Sequence, residues 1–299
     1  MTKSLVIIFL CQLSFLCFAQ QGGKKLSTAY KDNSVEELSG FFNDWHKAIP
    51  HIHSSEYLKL NDTIKNVYDV YTAFYRPLDI ADLGGSEWGN DIYANVKYLV
   101  IQNSTTVYTR DVIYDDRQLD SIVVAQINKS HIPDSVKKRD LQRRDKKLSQ
   151  IVREEFLPDN LYNTKNDRLI VRINKFRPVI NSGDKQALYL TPAYDTVLNA
   201  FLGNTHLPLG AGGIMNPSRS AGESAKRQKF LENFIKIWYG HWGGYWQLSS
   251  YPTASSVTFD KPMHRAIIDF RMVYEGGEAF LEKQNGKWQL ISAKRTWIE

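Results

Sequence analysis

His264-RAIIDFRMV-Tyr274, followed by Gly277-EAFLEKQNGKWQLISAKRT-Trp297, is the stretch on which the fold turns. The even positions His264, Ala266, Ile268, Phe270, Met272 and Tyr274 are mostly apolar. The odd positions Arg265, Asp269, Arg271 and Glu275 are charged, with Ile267 and Val273 between them. A period of two places one face of a strand on a core and leaves the other half polar. Asn285-Gly286 supplies the two positive-φ positions of a tight hairpin turn, and Gly276-Gly277 is expected to make a second. The last sixty residues therefore read as strands at 245–251, 255–259, 263–274, 278–284 and 287–297.

Working back from there, 223–239 reads as a helix with Phe230, Phe234, Ile237 and Trp238 on one side. Before it lies Gly203-NTHLPLGAGGIMNPSRSA-Gly222, with five glycines and two prolines in twenty residues, the best internal boundary in the chain. Further back, Ser34 and Glu37 form a capping box ahead of Leu38, Phe41, Phe42 and Trp45, which predicts a helix over 34–49. Ile64, Val67, Tyr68, Tyr71, Phe74 and Tyr75 make an apolar stripe that predicts another over 61–76. Residues 93–103, 105–114, 168–177 and 186–190 are rich in β-branched and aromatic side chains and read as strands. Thr191-Pro192 opens a short helix to Leu202, and 20–33 reads as loose polar chain. The fold class is α+β, divided into a signal segment at 1–19, a mixed helix and strand region at 20–210, and a helix-plus-sheet domain at 211–299.

A helix followed by meandering antiparallel strands with an Asn-Gly-Lys-Trp turn before the last one resembles the cone-shaped NTF2-like or cystatin-like superfamily. The residues that carry this are those quoted first, and the likeness covers about 223–299. It implies a curved sheet with a helix on it. In enzymes of that superfamily an acid or base projects into the open end of the cone, which makes Asp269 and Glu275 the carboxylates to watch, with His241 as a polar partner. A surface ion-pair ladder of Arg265, Asp269 and Arg271 explains the same residues. Fold alone does not choose a function here.

The chain opens with Lys3 and the apolar run Leu5–Ala19, a basic start, a signal-length apolar segment and a small residue before Gln20. This predicts a cleaved signal and a periplasmic or extracellular product. Both cysteines, Cys11 and Cys17, fall inside it, and Phe15-Leu16 before Cys17 fits a lipidation site poorly. The exported chain would have no thiol, no disulfide and no cysteine-ligated metal. Formal charge is +6, and Lys137–Lys147 alone carries seven basic and two acidic residues. Such local basicity is not the distributed field of a nucleic-acid binder. An amphipathic helix over 134–157 would place it on an outer face, either merely solvated or facing lipid headgroups or an acidic glycan.

Motifs are few. His51-Ile-His53 is the single close histidine pair, with Glu56 nearby, and no metal site follows from it. HExxH, GxSxG, EF-hand and phosphate-loop patterns are absent, and Ser135-Val-Lys-Lys138 lacks the partners of an SxxK enzyme. Trp238-YGHWGGY-Trp246 packs three tryptophans, two tyrosines and a histidine around three glycines. Rings there can fill core, or Trp242, Tyr245 and His241 can form an exposed binding platform of the kind that holds sugars. The sequence thus leans toward an exported non-enzymatic binding protein for glycan, peptide or a small apolar ligand, without cofactor or nucleic acid. The alternatives are a dehydratase, isomerase or hydrolase using a carboxylate in a cone-shaped pocket, and a structural component of the envelope.

Overall fold

The computed structural model describes residues 21–83, 91–129, 167–203, 221–239, 246–272 and 275–298. The helix expected over 134–157 and the residues His241, Trp242 and Tyr245 lie outside them. Residues 21–31 form helix α1, not loose chain. Polar as the segment is, Leu26 and Ala29 fall one turn apart on a single face and are both fully buried. Then come α2 (Val35–Ala48), α3 (Ser54–Leu58), α4 (Asp62–Phe74), a 3-10 turn (Ile80–Leu83), β1 (Tyr98–Gln102), β2 (Thr105–Arg110) and α5 (Asp116–Lys129). The chain continues with β3 (Arg168–Ile173), β4 (Gln186–Leu190), α6 (Pro192–Leu202), α7 (Ala221–Leu231), β5 (Trp238–Tyr239) and β6 (Trp246–Gln247). It ends in the meander β7 (Thr253–Asp260), β8 (Arg265–Met272), β9 (Glu275–Gln284) and β10 (Lys287–Ile298).

The caps are where the side chains call for them. Ser34 accepts from the Glu37 amide at 3.2 Å, and Asn61 accepts from the Ile64 amide at 2.9 Å. Helix α5 was not foreseen, although its start carries a reciprocal cap. The Gln118 amide donates to Asp115 Oδ1 at 2.8 Å, and the Asp115 amide donates to Gln118 Oε1 at 3.1 Å. Helix α7 stops at Leu231, short of the expected 239, because Trp238 and Tyr239 pair with Gln247 and Trp246 as a two-stranded ribbon.

The main sheet has the order β10-β9-β8-β7-β2-β3 and is antiparallel except where β2 runs parallel to β7. Strands from either side of residue 210 thus share one hydrogen-bonded sheet, across the boundary drawn from composition. A second sheet, β1 with β4, is parallel. The Gln102 side chain links the two like a piece of strand, donating to the Ala254 carbonyl at 2.6 Å and accepting from the Ala254 amide at 2.5 Å.

Two apolar cores result. Helix α4 lies on the inner face of the large sheet, where Val67, Tyr71 and Phe74 meet Val257, Ile268, Phe270 and Leu281. The helix C-terminal to the glycine-rich stretch is not the one that covers this sheet. Phe230 and Leu231 of α7 belong instead to a second core with α1, α2 and α6. The β1–β4 sheet is the wall between them. Leu99 and Ile101 face the first core, and Tyr98 and Val100 face the second. That is why Tyr98–Ile101 is buried without alternation.

Asn285 (φ 51°) and Gly286 (φ 78°) make the expected hairpin turn between paired Gln284 and Lys287. Gly276 and Gly277 do not form a turn. They sit inside β9, paired with Arg271 and Phe270. A Cβ on Gly277 would lie 2.0 Å from the Lys294 carbonyl oxygen, so the glycine is required by the close approach of β10.

Candidate functional site

Along β8, Ala266, Ile268, Phe270 and Met272 are buried, and Arg265, Ile267, Asp269 and Arg271 are half-buried on the opposite face. Met272 is paired with Glu275, which places Glu275 on the inner side and Asp269 on the outer. The two carboxylates singled out in the sequence therefore face away from each other across the sheet. Glu275 is 1% exposed and accepts two hydrogen bonds of 2.9 Å from Arg295 Nη1.

Asp269 stands in a row with Ser256 on one side and Glu278 on the other. It accepts a hydrogen bond from the Ser256 hydroxyl. Close by, Arg110 holds Asp167 in a two-pronged ion pair of 2.7 and 3.0 Å. Burial would lower the Arg110 guanidinium, but the Asp167 carboxylate holds it above its ordinary value. Burial, and after it the nearby Asp167 carboxylate, push the Asp269 carboxyl up, against the Ser256 hydroxyl and Arg110, which favour its charge. The expected ladder of Arg265, Asp269 and Arg271 does not form as such. Arg265 turns to the start of α5, donating to the Ile113 carbonyl at 2.9 Å and to Gln118 at 2.5 Å, and lies 3.2 Å from Glu282. The Arg271 guanidinium lies 5.8 Å from the centre of the Trp297 ring.

A polar recess lies between α4 and the end of the sheet. Asp62, Lys65, Asn66 and Asp69 share the face of α4 turned from its apolar stripe, at spacings of three and four. Opposite them stand Pro262, Met263 and His264 from the β7–β8 connection, with Lys283 and Gly286 from the β9–β10 hairpin. Tyr57 of α3 closes the side, and the cleft between has a volume of about 580 Å³.

Each wall is held from behind. Buried Asp260 accepts from the amides of His264 and Arg265 at 2.8 and 2.9 Å, and its carbonyl accepts from the Met263 amide at 3.0 Å. Those three bonds fix a connection in which Met263 takes a positive φ of 55°. Asn66, 8% exposed, is the floor. Its Oδ1 accepts from Lys283 Nζ at 3.0 Å and from Trp288 Nε1 at 2.8 Å, and its Nδ2 donates to the Asp62 carbonyl at 2.8 Å. The Tyr57 hydroxyl donates to Asp69 at 2.7 Å, and its pKa is pushed up to about 12 by burial and by that carboxylate. Two carboxylates, Asp62 and Asp69, thus face two ammonium groups, Lys65 and Lys283.

Sequence reading used only the apolar stripe of α4 and missed this cleft. The spacing of its four polar residues was visible, but residues 262–286, which close over it, lie some two hundred positions on. Of the histidines, His264 lines the cleft, and His46 bonds through Nδ1 to the Ala187 carbonyl at 2.9 Å. The rings of His51 and His53 are 6.1 Å apart. Among the described residues no group of three or more His, Cys, Asp or Glu side chains is placed to hold a metal ion. The flanks of the aromatic stretch are packing residues, Trp238 against the sheet core and Trp246 against the helical core. No described helix is long and apolar enough to cross a membrane.

The arrangement defines an α+β protein with an open, charge-balanced polar cleft. Comparison with family models, with curated proteins and with solved structures returns no match at all three levels. The cleft's own chemistry is then what bears on function.

Proposed function

We propose that this protein is an exported, non-enzymatic binding protein whose cleft takes a neutral, hydroxyl-rich ligand of the glycan class. The observation that carries this reading is the composition of the cleft, in which phenol, carboxylate, amide, imidazole and ammonium groups converge with opposite charges in equal number. Such a surface offers many donors and acceptors without a field that would select an anion or a cation. Its groups are braced by bonds to one another, which suits preorganised binding. Export is supported by the segment at 1–19, and kinship with the NTF2-like or cystatin-like superfamily is consistent with the β7–β10 meander.

The test is calorimetric titration with a panel of neutral oligosaccharides, followed by chromatography of the sugars after long incubation. We expect saturable binding with the sugars recovered intact. We also expect Lys283→Met to weaken it about tenfold, the order of one lost charge-assisted hydrogen bond. Cleaved sugars would overturn the non-enzymatic reading. Affinity unaltered by Lys283→Met would remove the cleft from it.

A further inference from the structure

On the helical-core side of the β1–β4 wall, α1, α2 and α6 line a second cavity of about 240 Å³ that shares no residue with the cleft. Its walls are Gly22 of α1, Phe41 of α2, and Ala193, Tyr194 and Val197 of α6, with Gln21, Lys25 and Asp44 at the mouth. The walls are stiff. Tyr194 stacks on Trp45 with ring centres 4.3 Å apart and planes 9° from parallel, and it meets Phe41 edge-on at 6.2 Å. Lys25 and Asp44 form an ion pair at the rim, with side chains 40% and 64% exposed. The Tyr194 hydroxyl is raised to about 12, first by burial and then by the nearby Asp44 carboxylate.

We propose that this cavity binds a free α-amino acid with an apolar or aromatic side chain. The size is right, since a dry apolar cavity of about 150 Å³ already accepts a benzene ring. The rim supplies the other half of the recognition. A zwitterion carries an ammonium and a carboxylate on one carbon, and Asp44 and Lys25 present the opposite charges side by side. An exposed ion pair contributes little to stability, so opening it to admit a ligand of the same two charges costs little. A fatty acid or an amine would satisfy one rim charge and take the other from its partner. The walls of Gly22, Phe41, Ala193 and Val197 offer no side-chain partner for the hydroxyls of a sugar ring, which separates this site from the cleft.

The probes are L-phenylalanine, 3-phenylpropionate and phenethylamine, titrated calorimetrically into the purified protein. L-Phenylalanine is expected to bind saturably, and the two singly charged analogues about tenfold more weakly or worse. Asp44→Asn, an exposed change, should weaken L-phenylalanine and phenethylamine by about tenfold and strengthen 3-phenylpropionate, which no longer takes Lys25 from a partner. Gly22→Leu should abolish binding of all three. A Cβ there lies 3.6 Å from Phe41 Cε2 and 3.9 Å from Val197 Cγ2, ordinary contact, so the longer side chain enters the cavity without displacing the helix. The proposal is overturned if L-phenylalanine gives no saturable heat at about 10 mM, a Kd weaker than useful recognition. It is equally overturned if the analogues match it, or if Asp44→Asn leaves the ranking of the three unchanged. Because no cleft residue takes part, loss of glycan binding would leave these outcomes intact.

Discussion

The core under the large sheet and the core among the helices share β1 and β4 and are otherwise built differently. In the first, alternating side chains of β7, β8 and β9 meet one stripe of α4, with Phe74 and Phe270 rings 5.6 Å apart. In the second, seven segments scattered from Leu26 to Leu248 come together, and Phe42 stacks with Trp45, Tyr98 and Phe234 at 6.2, 5.5 and 5.4 Å. One core is made by periodicity within neighbouring strands, the other by the arrival of distant aromatic rings at one place. Because adjacent residues of β1 serve opposite cores, neither can be lost without exposing a face of the strand that supports the other.

That dependence can be broken by experiment. Phe270→Ala in the sheet core and Phe42→Ala in the helical core should each cost about 3–5 kcal/mol, the usual range for a buried phenylalanine. Both variants should still unfold in one step in urea, with near-UV and far-UV circular dichroism changing together. If Phe42→Ala loses its near-UV signal at a lower urea concentration than its far-UV signal, the helical core is an independent unit and the shared wall does not couple the two.

The next effect concerns the edge of the sheet. Gly277→Ala drives a methyl group to within 2.0 Å of the Lys294 carbonyl oxygen, a backbone atom held in the ladder. Gly276→Ala meets only the Trp297 ring, at 2.1 Å, and that side chain is 42% exposed and can swing aside. We expect a loss of about 3 kcal/mol for the first and about 1 kcal/mol for the second, read from urea midpoints. Equal losses would mean that β10 shifts as easily as a side chain does.

The same contrast explains what could be read from sequence. The parity of 264–274, the Asn285-Gly286 turn and the stripes of α2 and α4 are local signals, and they marked the core-facing residues of β8 and of both helices, but not which helix meets the sheet. Gly276-Gly277 carries a local turn signal too, but the close approach of Lys294 on β10 overrides it. In the helical core the stripe of α2 is a local signal, but what it packs against is not. Residues 21–31 look polar until α6 and α7 arrive to cover Leu26 and Ala29, and nothing in the glycine-rich stretch before α7 announces that the chain crosses back to helices from the first fifty residues. The cleft failed for the same reason. Asn66 and Lys283 are ordinary surface residues in isolation, and their hydrogen bond exists only because the β9–β10 hairpin folds over α4. For Asp269 and Glu275 the sequence supplied candidates of the right chemistry, while the register at Met272 and Glu275 sets them on opposite faces.

The smallest effect, and the one that separates burial from charge pairing, belongs to Asp269 on the face of β8 that neither core uses. Its pKa is raised in the folded protein, chiefly by burial, so between the ordinary carboxylate value of 3.8 and the raised value the folded state binds more protons than the unfolded one. Stability drawn from this group is therefore fully present below that ordinary value and is lost as pH rises through the folded one. Asn at this position keeps an acceptor for the Ser256 hydroxyl but cannot ionise. Asp269→Asn should thus gain stability relative to wild type as pH is raised from the ordinary carboxylate value through the raised folded one, with the gap constant beyond that. Urea midpoints at several pH values for the two proteins read the gap directly. A gap that moves the other way would mean that Ser256 and Arg110 stabilise the carboxylate more than burial and Asp167 oppose it. The outer face would then hold a paired charge of the kind found at Glu275 on the inner one, and the two faces of β8 would differ in side-chain packing but not in how they treat a carboxylate.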